Sequence, residues 1–432
     1  MQDTSTIAIN DQNRGGLFSP DDEAEAMGWD RSEPYPRFLA LLEEGKPVRE
    51  GGLDQLMGLP PQLRQEELRG RKHYTFLSFD AVNKAFMDSE RFTNHVYDYL
   101  SKPALGDTLL NMDGARHRRV RNVAKPFFKP SFAETWWNDK WIVQAVDELF
   151  DRITLKDHAD LNMELCAPLP MSVISAGFGI PQEEFLNFRI ALTDIMTSGH
   201  NDPAKAEAGG RVVQAVLGRA FEERRGDPRD DLITKLVHAD FEDDDGTVRK
   251  LTDDEVMRYC NLIVFAGGGT TWRQLGITIK ALMDNPDQME ALRADRSLLR
   301  QTIQESARWY PTDPHFLRWI AQDTEIEGVT IEAGSIAWLC VSTANRDRTQ
   351  WDDPDRFDIH RPVKRNFAFG AGNHACLGQH LSRQEMEVAL NAVLDRLPGL
   401  RWDPEKPSST ITGGTLMQRG PDALHVRFTP GH

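Results

Sequence analysis

The sequence predicts a mainly α-helical protein with small β-sheets, of the α+β class. Three observations lead there. Thr252-Asp253-Asp254-Glu255 is a capping box with acids in the first turn, and it opens a run without proline that lasts to Asn285-Pro286. That run predicts a helix of about 33 residues, far above the ~11–12 residue average, so it has to cross the molecule. A second helix reads from Ser297 to Trp309 and stops before Pro311. Beyond it the chain turns to strand character at 316–321, and 328–331 with 334–339 reads as a hairpin.

The middle of the long helix is Phe265-Ala266-Gly267-Gly268-Gly269-Thr270-Thr271. Each glycine inside a helix costs roughly 1 kcal/mol against alanine. Close approach of a flat ligand would compensate; a kink or a helix-packing notch is the plainer account. On the second helix, Glu305 and Arg308 stand at i,i+3 and share a face. Farther on, Phe369-Gly370-Ala371-Gly372-Asn373-His374-Ala375-Cys376-Leu377-Gly378 sets one cysteine among glycines and a histidine, just before another helical pattern. The glycines allow tight turns and close approach, and the helix N-terminus favours a thiolate over a thiol. A packing cysteine needs no such neighbours. Cys376 is therefore read as a thiolate ligand for a soft or borderline metal.

Composition narrows the function. The chain has 432 residues, with 51 Lys+Arg against 67 Asp+Glu and a formal charge of −16. An acidic protein is a poor general nucleic-acid binder, so no nucleic-acid partner is expected. Arg116-His117-Arg118-Arg119-Val120-Arg121 is a local basic island, and Glu242-Asp243-Asp244-Asp245-Gly246 reads as a solvated turn between helices. Cys166, Cys260, Cys340 and Cys376 form no C-x-x-C, which argues against zinc-ribbon, thioredoxin-like and c-type haem sites and suits a reduced, cytoplasmic setting. No apolar stretch approaches the ~18 residues of a membrane helix, so no membrane anchor is expected. Residues 1–20 are polar and lack a signal-peptide core.

The cysteine segment resembles the cysteine loop of the cytochrome P-450 family, F-G-x-G-x-H-x-C-x-G, at every fixed position, and the likeness runs from about Phe76 to Val426. The resemblance implies the cytochrome P-450 fold, with haem between a long distal helix and the helix after the cysteine loop. It divides the chain into a polar extension (1–30) and a single haem domain (31–432). The cofactor it implies is haem b, iron protoporphyrin IX, ligated by the Cys376 thiolate, with Phe369, Gly370, His374 and Gly378 shaping the loop. Such a thiolate pushes electron density toward the iron and favours O–O cleavage.

The glycine segment is similar to the family's distal motif A/G-G-x-D/E-T-T/S. Ala266, Gly267, Thr270 and Thr271 match, and Ala266 is placed against the cofactor. Gly269 stands where the family has an acid that supplies or relays protons. Thr270 falls on the oxygen-binding threonine. Waters admitted at Gly268 and Gly269 are the expected substitute for the acid. Glu305-x-x-Arg308 resembles the family's E-x-x-R, with Arg361 as its third, structural member. His117, Arg121 and Arg318 match the arginines and histidine that bind haem propionates. Asn366 replaces a histidine usually aimed at a propionate, and it donates without charge.

By resemblance the reaction is O2, substrate C–H, two electrons and two protons giving alcohol and water. No flavin or nicotinamide module is visible, so a ferredoxin and a ferredoxin reductase are the expected electron donors. Arg116, Arg118, Arg119, Lys125 and Lys129 could form their docking face. Val96 and Tyr97, Leu262 and Phe265, Pro314, Phe316 and Leu317, and Leu416 and Met417 fall where the family lines its substrate pocket. Their apolar character points to a small hydrophobic organic substrate. Residues 195–203 look like a mobile lid. Two other functions fit a cysteine-ligated haem: a peroxide-driven peroxygenase, which needs no acid at 269, and a haem sensor or carrier, for which the distal threonine would be superfluous.

Overall fold

The computed structural model describes residues 19–181, 203–407 and 410–430, with isolated positions between 184 and 195. All but the ends of the expected lid at 195–203 lie outside them. Helices carry most of the chain. Its principal sheet has five strands in the order Val48–Glu50, His73–Phe76, Ile336–Cys340, His315–Ile320 and Phe92–Thr93. The expected hairpin is not formed. Val329–Ile331 pairs with Thr324–Ile326, while Ile336–Cys340 lies between His315–Ile320 and His73–Phe76. The apolar five-residue strand is buried throughout, and only the centre of the larger sheet covers both of its faces.

The long helix is also corrected. The capping box forms as read, with the Thr252 side chain accepting from the Glu255 amide. The helix Asp253–Gly267 then ends, and a second, Thr270–Asp284, begins after Gly268 and Gly269. Three glycines are a weak link in any helix, and here side chains take over carbonyls at the break. Thr270 Oγ1 donates to the Ala266 carbonyl (3.2 Å), and the Arg273 guanidinium donates to the Gly269 carbonyl (2.9 Å). Gly267 has a packing cause: a Cβ there would lie 2.2 Å from Ile174 Cδ1 of the helix Pro168–Gly177.

Two further expectations change. The acidic turn joins a hairpin, Asp240–Glu242 with Val248–Lys250, and Asp244 pairs with Arg119. Residues 20–30, expected in the polar extension, pack into the body. Ala24 is fully buried, Glu23 pairs with Arg273, and the Asp30 carbonyl accepts from the Thr415 amide (2.7 Å).

Glu305, Arg308 and Arg361 meet on the helix Leu299–Trp309. Arg308 grips Glu305 with two bonds, 2.7 and 2.8 Å, and Arg361 Nε reaches it at 3.1 Å. Both members of the first pair are 3% exposed. Arg308 also donates to the carbonyls of Asn345, Pro354 and Arg356. The trio thereby ties the helix to the segment that leads into the cysteine loop.

The helix Gln379–Arg396 carries a buried carboxyl at Glu385, 2% exposed, which burial pushes from 4.5 up to about 8. The folded protein therefore holds a proton there that the unfolded chain releases. Stability contributed by this proton is complete below pH 4.5 and is lost as pH rises toward 8. Glu385→Gln mimics the neutral acid. It is expected to raise the melting temperature at pH 8 by several degrees and to leave it nearly unchanged at pH 4.5, as read by thermal melts across that range. An equal change at both ends would mean that Glu385 is not a buried neutral acid.

Candidate active site

The cysteine loop is shaped as its glycines require. Gly370 and Gly372 have φ of +62° and +68°, and a Cβ at Gly372 would strike the Phe86 carbonyl oxygen at 2.2 Å. The Cys376 amide donates to the Phe369 carbonyl (2.8 Å), closing the loop, and Gly378 caps the helix Gln379–Arg396. Phe369 lies under the Arg383 guanidinium at 4.6 Å. The Cys376 thiol keeps accessible surface, yet burial is the leading influence on its titration. Both hold for a sulfur that fronts an internal cleft. Burial pushes this thiol up; the Gly378 amide, Arg121 and Arg383 pull it down less strongly. The Gly378 amide at the helix N-terminus acts in the direction the sequence reading gives, and burial opposes it. A bound metal cation deprotonates such a thiol outright.

Around this loop stand buried donors. His117, 2% exposed, has no hydrogen-bond partner for Nε2 among the described residues, and burial holds its imidazole neutral with a pKa of about 3. Its ring lies 4.1 Å from that of His374. Arg121 donates to the Ala375 carbonyl, next to Cys376, at 2.5 Å. Arg318 is buried, and it donates to the carbonyl of its neighbour Leu317 (2.7 Å). Burial presses on the charge of both arginines. His374 is clamped by Asn94 (3.1 Å) and Asp113 (3.2 Å), and the Asp113 carboxylate also accepts from the Asn94 amide (2.8 Å). Sequence reasoning missed Asn94 and Asp113. Asn94 lies in the segment 93–100 that carries Val96 and Tyr97, expected to cover the substrate, and Asp113 precedes the basic island; those positions were the available signal.

Asn366 uses its side-chain oxygen locally, accepting from the Ala368 amide (3.1 Å). Thr271 is packed at 5% exposure, whereas Ala266, Gly269 and Thr270 keep accessible surface along the glycine break. Position 269 has specific neighbours. A Cβ there would stand 3.1 Å from Gln418 Oε1 and 3.3 Å from the Arg273 guanidinium.

The pocket residues divide. Val96, Leu317 and Leu416 are buried in one apolar cluster, with Tyr97 packed against it. That cluster joins the covering segment, the strand and the C-terminal turn. Pro314 is also buried. Phe316 lies on the opposite strand face from Leu317 and packs on Phe86 at 5.8 Å. Leu262, Phe265, Tyr97 and Met417 keep partial exposure.

The sequence model "Cytochrome P450" matches residues 206–424, half of the chain. Cytochrome P450 107B1 of Saccharopolyspora erythraea is 33% identical over 80% of this chain and 82% of its own length. The chain belongs to the cytochrome P450 family. The monooxygenase PikC of Streptomyces venezuelae is 30% identical over 94% of both chains. The crystal structure of CYP108D1 from Novosphingobium aromaticivorans superposes with a TM-score of 0.78 at 26% identity, over 98% of this chain and 99% of that one. This cytochrome P450 is thus a monooxygenase with the P450 fold. The donors present fit the family's haem: Cys376 would ligate its iron, and the buried His117, Arg121 and Arg318 would hold its carboxylates. Among the described residues no helix is long and apolar enough to cross a membrane.

Proposed function

We propose that this cytochrome P450 hydroxylates a small hydrophobic organic molecule, binds haem b through Cys376, and takes electrons from a separate ferredoxin and its reductase in the cytoplasm. The observation that carries the reading is the set of buried donors next to the cysteine loop: His117, whose Nε2 meets no partner among the described residues, Arg318, which meets the Leu317 carbonyl and Tyr97, and Arg121 on Ala375. The haem supplies the redox chemistry. The protein's own residues hold its carboxylates, keep Cys376 in place and position the substrate. Thr270 Oγ1, now donating to Ala266, is placed to exchange that bond for one to water and so pass protons into the cleft. With Gly269 in the acid's position, this hydroxyl, together with water entering the glycine break, would carry the proton route.

Thr270→Ala is expected to lower product formed per reduced nicotinamide several-fold and to raise hydrogen peroxide release. Both are measured with a competent ferredoxin pair. Unchanged coupling would remove Thr270 from the route. For partner docking, Arg119 and Arg116 are engaged by Asp244 and Asp107. Arg118, Lys125 and Lys129 are exposed, and an open cleft of about 300 Å³ beside the cysteine loop is bordered by Arg365 and Arg383. A peroxide-driven reaction is the second reading, favoured by Gly269. Turnover with hydrogen peroxide alone, faster than through ferredoxin, would select it.

A further inference from the structure

Asp313 is a carboxylate that none of the family motifs uses. It precedes Pro314 and the strand His315–Ile320. The segment is held firmly. The Thr312 amide donates to Gln274 Oε1 (3.2 Å), and the Thr312 carbonyl accepts from the Arg419 amide (3.1 Å). Gln418 hydrogen-bonds the Asp313 carboxylate. The same Gln418 lies where a side chain at position 269 would begin. Asp313 therefore sits beside the glycine break, one side chain away from it. Its charge also acts on Tyr97 of the covering segment and on Cys376. It keeps partial exposure, while Thr312 and Pro314 on either side are buried. These relations put the carboxylate at the cleft between the covering segment, the glycine break and the cysteine loop.

Gln418 turns a donor toward the acid. Its Oε1 accepts from Arg273 at 3.2 Å, so its NH2 group is the part that faces Asp313. Burial pushes the Asp313 carboxyl above its ordinary value; the Gln418 donor and the Arg273 charge pull it back less strongly. No full countercharge accompanies it. Arg273 is paired with Glu23 and anchored on the Gly269 carbonyl, and Arg318 belongs to the haem donors. Among the described residues Asp313 joins no ion pair, and burial keeps His315 neutral with a pKa of about 4. A carboxylate that is partly desolvated and lacks a cation is costly until a ligand brings positive charge.

We propose that Asp313 sets substrate selection: the pocket takes a hydrophobic molecule bearing one cationic amine or ammonium group, which Asp313 anchors while Phe265, Tyr97 and Met417 cover the apolar body. This rests on the reading of the cleft as the substrate site. The test uses the haem-loaded protein and three probes of one shape: (4-phenylbutyl)trimethylammonium, its uncharged isostere with a tert-butyl group in place of the trimethylammonium, and 5-phenylpentanoate. The quaternary nitrogen has no lone pair and cannot ligate iron. Dissociation constants come from equilibrium dialysis, with the haem spin-state change read in parallel.

In the wild type the cation is expected to bind about tenfold or more tighter than the isostere, equivalent to ~1.4 kcal/mol, and the anion weakest. Asp313→Asn should abolish the cation's advantage and leave the isostere's affinity unchanged, while Asp313→Glu should retain part of it. Asp313→Ser replaces the asparagine variant if that one fails to take up haem. Equal binding of cation and isostere by the wild type overturns the inference, as does an advantage that survives Asp313→Asn. If the isostere shifts the spin state with no preference for charge, the substrate-site reading stands and only the role of Asp313 falls. A wild type without a thiolate-ligated haem would instead remove the functional reading beneath it.

Discussion

Cys376→Ala is expected to leave a folded protein that has lost thiolate ligation almost completely, and with it turnover. The loop is closed by backbone, from the Cys376 amide to the Phe369 carbonyl, and by the positive φ of Gly370 and Gly372, none of which needs the sulfur. The side chain would contribute the ligand itself. In the reduced carbon monoxide complex the wild type should show the strongly red-shifted Soret band of a thiolate haem, and the variant should not. Circular dichroism of the two proteins should agree. A wild-type spectrum of the histidine-ligated kind would overturn the assignment of Cys376.

Glu305→Ala and Arg308→Ala are expected to have the larger effect on folding. Each strands a buried charge whose partner is gone, at a cost of about 3–5 kcal/mol. Against a typical total stability of roughly 5–15 kcal/mol, that loss leaves a marginal protein. Removal of Arg308 also frees three carbonyls that precede the cysteine loop, at Asn345, Pro354 and Arg356. Low soluble yield, depressed melting and substoichiometric haem should follow in both variants. Arg308→Lys should recover little, because one ammonium cannot reproduce the paired 2.7 and 2.8 Å bonds to Glu305. Normal haem content in the alanine variants would mean that the trio is dispensable.

The parts of the site that could be read in advance are the local ones. The cysteine loop is contiguous, and its geometry depends on glycines whose need for positive φ is a property of the residues themselves. The capping box at Thr252 is local in the same sense. Glu305 and Arg308 share a helix face by spacing alone. What escaped notice depends on partners remote in sequence. The glycine run was read through as continuous helix, because propensity alone does not say whether neighbours will take over the freed carbonyls. Arg273 and Thr270 do so. Of the pocket residues, Val96, Leu317 and Leu416 went into an apolar cluster, and strand alternation turned Phe316 toward Phe86. Arg273, the buried one of three charges on the helix Thr270–Asp284, and Asp313, an acid ahead of an apolar wall, drew no reading from local patterning.

The sequence by itself determined the family, the cysteine loop, the departure at Gly269 and the helical character of the chain, since these rest on residue chemistry and short-range spacing. Only the tertiary structure decided what surrounds that departure. Glu23, Arg273, Asp313 and Gln418 come from four distant segments. Their assembly at the break follows from packing the N-terminal helix and the C-terminal turn against the helix Thr270–Asp284. Charges buried in this way have to be paired or await a partner, and which of the two applies depends on contacts that spacing along the chain does not encode.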